Sequence, residues 1–199
     1  MKLLLFSDVH CDIKRCESLV DRSNDVDVVI GAGDLANFRK GLDLSIEILN
    51  RIKKPTILVP GNSESIEELS AECKNWKEAT VLHGAVCRIN DADFYGVGGG
   101  IPVTPFGEWS YDFTEQQARE LLSDCPAGGI LVTHSPPHDV LDRAWFGKKL
   151  GSTSIRETVL EKKPLLVVCS HIHERSGRQG KLGDSVVINA GPKGITWEV

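Results

Sequence analysis

The chain has 199 residues, 41% hydrophobic and 26% charged with a formal net charge of -5, enough for one well-buried core and short for two, so a single domain over residues 1–199 is expected. The mild acidity excludes a broad electrostatic nucleic-acid surface, which needs clustered lysine and arginine, yet it leaves room for a phosphate substrate, because bound divalent ions can supply local positive charge. No apolar run approaches the roughly 20 residues of a membrane-spanning helix, and the opening apolar stretch is too short and too soon followed by acid to be a signal peptide, so the expected location is the cytoplasm.

Residues 2–6 are a nearly continuous apolar run, the pattern of a strand covered on both faces. The run gives out at Asp8-Val9-His10, a carboxylate and an imidazole that can turn toward one divalent cation where the chain leaves the sheet. Residues 13–21 carry Ile13, Cys16, Leu19 and Val20 at helical spacing behind a cap at Asp12. A second buried strand, 27–31, ends in Gly31-Ala32-Gly33-Asp34. A helix follows over 42–52, Pro55 separates it from a third strand, 56–59, and that strand ends in Pro60-Gly61-Asn62-Ser63-Glu64. Ser65-x-x-Glu68 is a capping-box start for the next helix. Three strand-then-helix units in succession imply parallel strands with right-handed crossovers, whose carboxyl ends collect ligands.

Residues 81–84, 86–89 and 94–97 read as short strands of an antiparallel meander. Gly98-Gly99-Gly100 opens a loop to Tyr111 that carries Phe106 and Trp109, either a functional loop or one held to the body by its aromatic residues. Thr114-x-x-Gln117 starts a helix that closes near Ser123. The strand at 130–133 ends on His134, followed by Ser135-Pro136-Pro137-His138, and residues 139–151 are irregular and hold Trp145 and Phe146. A helix capped by Ser154-x-x-Glu157 runs to Lys162. The most apolar strand, 165–169, delivers Ser170-His171-Ile172-His173, and closing strands are expected at 185–189 and 195–199. Cys11, Cys16, Cys73, Cys87, Cys125 and Cys169 show neither Cys-x-x-Cys pairs nor small-scaffold spacing and read as reduced thiols, Cys87 and Cys169 as small core hydrophobes.

Strand ends thus carry Asp8 and His10, Asp34, Asn62, His134, and His171 with His173. A mixed carboxylate, imidazole and amide set suits Mn, Fe, Zn or Ni better than Ca or Mg. These ligands are too many for one closed tetrahedral site and suffice for two ions sharing a carboxylate.

In this order, over nearly the whole chain, Asp8-Val9-His10, Gly33-Asp34, Gly61-Asn62-Ser63-Glu64, His134 and Ser170-His171-Ile172-His173 resemble the motifs of the calcineurin-like metallophosphoesterase superfamily. Gly96-Val97-Gly98-Gly99, Thr133-His134-Ser135-Pro136-Pro137 and His171-Ile172-His173-Glu174 are more similar to its small, single-domain, cyclic-nucleotide-phosphodiesterase-like branch than to its large phosphatases. The resemblance implies an α/β fold of two mixed β-sheets packed as a sandwich with flanking helices. It implies one divalent ion on Asp8, His10 and His173, a second on Asn62, His134 and His171, and Asp34 bridging them, with Mn the first expectation and Fe, Zn or Ni the alternatives. Asp34, Asn62 and His134 would then be catalytic residues of a hydrolase in which hydroxide between the ions attacks a phosphodiester, or else a phosphomonoester, in line.

Two positions depart from the family pattern. Ser170 stands where the family has glycine, which is tolerable if no positive φ is needed there. Ser63 stands where the family usually has the histidine taken to protonate the leaving oxygen or bind the phosphate, and a serine hydroxyl is a poor general acid near neutral pH. His138 is the candidate substitute, or else an exposed, loop-packing histidine. The expected partner is a small phosphate-ester substrate, without membrane or nucleic acid, and with homo-oligomerisation left open. The competing expectation is a catalytically weak or inactive binding or scaffold protein on the same fold. Phe106, Trp109 and Trp145 either stack on a nucleobase or pack into core or dimer. Glu64 and Glu174 read as solvated turn residues, with the orienting of ligand histidines as the alternative, and His83 reads as a strand-end residue without a role.

Overall fold

Successive residues of a strand point to opposite faces, and that alternation decides the layering. In the computed structural model, which describes residues 1–199, β1 (Lys2–Phe6) sends Leu4 and Phe6 into one buried cluster and Leu3 and Leu5 into another. Leu4 and Phe6 pack against α1 (Ile13–Ser23), α2 (Leu42–Leu49) and α3 (Ile66–Glu72) through Leu19, Ile46 and Leu69. Leu3 and Leu5 face a second sheet, meeting the cluster that holds Ile130 and Val132 of β7 (Ile130–Thr133) and Leu166 and Val168 of β8 (Leu166–Cys169). The other faces of β7 and β8, Leu131 and Val167, pack on α4 (Glu115–Leu122) and α5 (Thr153–Lys162) through Leu122 and Ile155. Because both faces are covered, these strands are apolar throughout. Each fully buried side chain such as Leu5 or Phe6 contributes about 1.5–3 kcal/mol relative to its exposed state.

In the first sheet β1 is flanked on one side, in parallel, by β2 (Val28–Gly31), β3 (Thr56–Leu58) and β4 (Ala79–Val81), and on the other by antiparallel β11 (Ile195–Glu198). The second sheet runs β5 (Ala85–Ile89), β6 (Ala92–Val97), β7, β8, β10 (Ser185–Asn189) and β9 (Gln179–Leu182), with the four central strands parallel and both edges antiparallel. The fold is the expected sandwich of two mixed sheets with helices outside.

Several local expectations are corrected. The antiparallel meander does not form: β4 hydrogen-bonds in parallel to β3 of the first sheet, and only β5 and β6 make a hairpin in the second. α2 ends at Leu49, three residues before Ile52, whose side chain turns into the core. α5 starts at Thr153 and is capped by Ser152, whose hydroxyl accepts the Ile155 N–H at 3.1 Å, while the Ser154 hydroxyl is engaged by Glu115. Strand β9 has no signal in the sequence, since Gln179-Gly180-Lys181-Leu182 is a half-exposed edge with one apolar residue inward. The capping boxes at Ser65/Glu68 and Thr114/Gln117 form as expected, and all six cysteines are free thiols.

Candidate metal centre

The loops after β1, β2 and β3 of one sheet and after β8 of the other line a cleft of about 620 Å³, with His10, Asp34, Asn62, Ser63, His171 and His173 at its floor. Leaving the strands requires sharp turns: Asp8, His10, Asp34 and His171 take left-handed backbone conformations, with φ of 53°, 43°, 56° and 68°. Each such non-glycine residue costs on the order of 1–3 kcal/mol, strain the surrounding packing must hold. Two glycines allow the loops to touch. A Cβ at Gly33, where φ is 91°, would sit 2.5 Å from the Gly61 backbone, and one at Gly61 would sit 2.1 Å from Asp34 Oδ1. The Gly33-Asp34 and Gly61-Asn62 loops therefore stack backbone on backbone, which places Asp34 beside Asn62.

All seven sequence-predicted ligands come together in two groups that meet at Asp34. Asp8, His10, Asp34 and His173 bring their ligand atoms within 4.8 Å of one another. His10 Nε2 is 3.6 Å from Asp34 Oδ2, and His173 Nε2 is 3.6 Å from Asp8 Oδ1. On the other side, His134 Nε2 lies 3.5 Å from Asp34 Oδ1, 3.1 Å from Asn62 Oδ1 and 3.2 Å from His171 Nδ1.

The donor chemistry fits cations. His10 Nδ1 donates to the Ala36 carbonyl at 3.0 Å and His134 Nδ1 to the Ala32 carbonyl at 2.8 Å, and since a carbonyl only accepts, the neutral form of each ring has its Nε2 lone pair free toward the cleft. Asn62 is oriented by a relay: its Nδ2 donates to Ser110 Oγ at 3.0 Å, and that hydroxyl donates to Asp112 Oδ1 at 2.8 Å. With His134 neutral, Asn62 Oδ1 and His134 Nε2 face each other across 3.1 Å as two acceptors, an arrangement a divalent ion makes favourable. Asp8 and Asp34 are 5% and 4% exposed, and their only ion-pair partners are histidines. Buried carboxylates without lysine or arginine are costly unless a cation is bound.

The titration behaviour follows from these contacts. Burial would raise Asp8, but His173, the nearby His134 and the Ser7 hydroxyl, which donates at 2.7 Å, hold it down at about 2. Burial and then His134 push His171 down to about 4, so its imidazole is neutral, as a ligand must be. His173 is raised by the Asp8 carboxylate beside it, against a smaller lowering by burial.

Ser170 does more than tolerate the lost glycine. It is buried with no positive φ, and its hydroxyl donates to Asp8 Oδ1 at 3.1 Å and accepts the His171 N–H. Ser63 lines the cleft, and its N–H donates to Asp34 Oδ1 at 2.8 Å. His138 does not line the cleft; it pairs with Asp139 at 3.3 Å on the surface, so the geometry gives it no part in proton delivery.

Glu64 is not a solvated turn residue. It is fully buried, with Oε1 accepting from Leu35 N at 3.2 Å and Gly61 N at 2.8 Å and Oε2 from Ala36 N at 3.0 Å, tying the loops after β2 and β3 together. Burial and then the Asp34 charge push it up to about 7, against the pull of those backbone donors. Its place two residues after Asn62 is the signal that marks it. Ser110 and Asp112, which set the Asn62 amide, have no signal in the sequence. Exposed Glu174 accepts the Trp145 N–H at 3.2 Å and orients no histidine. His83 accepts the Gly98 N–H at 3.1 Å and packs on Phe113.

The family model of the calcineurin-like phosphoesterase superfamily domain matches residues 1–198. Comparison with curated proteins gives no match. Among solved structures, TT1561 of Thermus thermophilus has a TM-score of 0.78 at 20% identity, covering 99% of this chain and 98% of that one. A dimetal phosphatase from Danio rerio gives 0.62 at 14% identity, covering 95% and 86%. An archaeal phosphodiesterase gives 0.54 at 18% identity, covering 96% and 84%. At these identities the likeness is one of fold. The family match, spanning all but the final residue, agrees with the two-sheet architecture and with the strand ends that carry the clustered side chains: the chain belongs to the calcineurin-like phosphoesterase superfamily.

Proposed function

We propose that this chain is a dinuclear metal-dependent phosphoesterase that hydrolyses small phosphodiesters. The observation that carries the proposal is the pair of ligand groups meeting on the two oxygens of Asp34, with His10 Nε2 at Oδ2 and His134 Nε2 at Oδ1. Asp8, His10 and His173 would hold one ion and Asn62, His134 and His171 the other, with Asp34 common to both. Two divalent ions there, Mn first among those this donor set suits, would neutralise phosphoryl oxygens and lower the pKa of a water aligned for in-line attack.

The chain's own residues define the rest. The Ala32 and Ala36 carbonyls fix the imidazole tautomers of His134 and His10, and Ser110 with Asp112 fixes the Asn62 amide, so the ligand atoms are aimed before any ion arrives. Ser63, at the cleft floor, can donate a hydrogen bond to an ester oxygen but cannot deliver a proton efficiently near neutral pH. The enzyme therefore selects leaving groups that depart as stable anions.

Metal analysis combined with an assay of bis(4-nitrophenyl) phosphate in added Mn tests the proposal. Two equivalents of metal with turnover are expected. Ser63 in place of histidine favours one second reading, a metal-binding scaffold, and stoichiometric metal without turnover of any diester or monoester would establish that reading instead.

A further inference from the structure

The cleft that holds the ligand groups is also lined by five aromatic side chains that the proposed chemistry does not use. Phe38, Phe106 and Trp109 form one group: Trp109 stacks on Phe106 with centroids 5.5 Å apart and planes 13° apart, and Phe38 meets Trp109 edge-on at 4.7 Å. Trp145 and Phe146 form a second, T-shaped at 5.5 Å, on the irregular segment after β7. These rings are not core. Trp145 is 83% exposed, and Phe38, Phe106 and Phe146 are each at least half exposed. Exposing large aromatic surface to water is unfavourable, and a concentration of it within one cleft marks a place where an apolar group is received.

The charge pattern narrows that group further. No lysine or arginine lines the cleft, and Glu174, whose side chain holds the Trp145 backbone N–H, adds a carboxylate to its wall. Beyond the ligand cluster, Asn37 and Ser63 offer neutral donors, but no positively charged side chain is there to neutralise an additional phosphate or carboxylate on the substrate.

We infer that the substrate is a phosphodiester with a single negative charge, at least one of whose ester groups is an uncharged aromatic or apolar moiety received between these two groups of rings. The inference deepens the phosphoesterase reading and rests on it for the reaction. One P–O bond forms from water, the P–O bond to the leaving group breaks, and a monoester and an alcohol or phenol are released. An aryl ester and a nucleoside ester share the chemistry that the rings recognise.

Binding to the Mn-loaded protein, measured by calorimetry, tests the inference apart from turnover. Diphenyl phosphate should bind at least about tenfold more tightly than dimethyl phosphate. Bis(4-carboxyphenyl) phosphate should lose that advantage. Phenyl thymidine-5′-phosphate should also exceed dimethyl phosphate, and its rank against diphenyl phosphate tells a nucleobase from a simple aryl group. Trp145→Ala, at a side chain too exposed to matter for folding, should remove most of the preference, and Trp145→Phe should restore part of it. Equal affinity for the diphenyl and dimethyl esters would overturn the inference, as would a Trp145→Ala change that altered oligomeric state while leaving the preference intact. Aryl-selective binding without hydrolysis of any ester would support the inference while sinking the phosphoesterase reading.

Discussion

Asp34 and His134 meet through Oδ1 and Nε2 at 3.5 Å, and the opposite oxygen of the same carboxylate stands 3.6 Å from His10 Nε2. One side chain is therefore common to both ligand groups. Asp34→Ala should abolish binding of both metal equivalents, as read by elemental analysis and calorimetry, where removal of an outer ligand such as His173 should cost one. It also strips the Ser63 N–H of its acceptor inside a buried loop, which adds about 1–3 kcal/mol of destabilisation. Retention of one full equivalent in Asp34→Ala would show that the carboxylate serves a single ion.

Glu64 links this centre to the stability of the fold. In Glu64→Gln the remaining oxygen can keep the Leu35 and Gly61 donors, but the new amide group points N–H at the N–H of Ala36. Leaving that buried donor unpaired costs about 1–3 kcal/mol, a fall in Tm of roughly 3–10 °C for the metal-free protein. The Ala36 carbonyl is also the acceptor that aims His10, so Mn affinity should fall by about tenfold or more. Thermal unfolding and calorimetry on the same variant separate the two effects. An unchanged Tm would show that the buried side chain accepts no net stabilising bonds.

The residues that cluster at this centre were legible because each follows a buried strand, and an apolar run that stops at Asp, Asn or His is visible without any partner. The features that were not legible depend on distant partners. Ser154 satisfies the local Ser-x-x-Glu rule, yet its hydroxyl goes to Glu115, far back in the chain, and Ser152 becomes the cap. β4 is too short for its own residues to say which sheet it joins; the hydrogen bonds of β3 decide that. Glu64 looks like a turn residue because the three N–H groups that enclose it come from two different loops. Asn62 could be named from its motif, but not the Ser110–Asp112 relay that turns its oxygen toward the cleft.

Glu115 joins α4 to α5. Its carboxylate accepts from Ser152 Oγ at 2.8 Å, Thr153 N at 2.9 Å and Ser154 N at 2.9 Å. Burial alone would raise its pKa, but the Ser154 and Thr153 donors outweigh burial and hold it below the ordinary 4.5. A depressed carboxylate contributes stability that is present above its unfolded value and lost as pH falls through the folded one. Glu115→Gln should therefore destabilise the protein by about 1.5–3 kcal/mol at neutral pH. The gap from wild type should close as pH drops below 4.5, and denaturant unfolding at several pH values measures it. A gap that stayed constant down to strongly acid pH would show that the hydrogen bonds do not favour the ionised form.

In the proposed reaction Ser63 sets the leaving-group requirement. It lies at the cleft floor beside Asn62, its backbone N–H is held by Asp34, and no histidine other than the ligand set lines the cleft. Wild-type enzyme should therefore hydrolyse a 4-nitrophenyl diester, whose phenolate departs without a proton, far faster than a dialkyl ester of similar size. Ser63→His introduces an imidazole at that position, and general acid catalysis of this kind contributes about 10²–10⁴-fold. The variant should accelerate the alkyl ester by about 10²-fold or more while changing the nitrophenyl rate little, and its alkyl-ester rate should fall as the new histidine loses its proton at alkaline pH. The check is a pair of pH–rate profiles, one for each ester. Equal wild-type rates on both esters would mean that a proton reaches the leaving oxygen by another route, and Ser63 would then have no bearing on substrate choice.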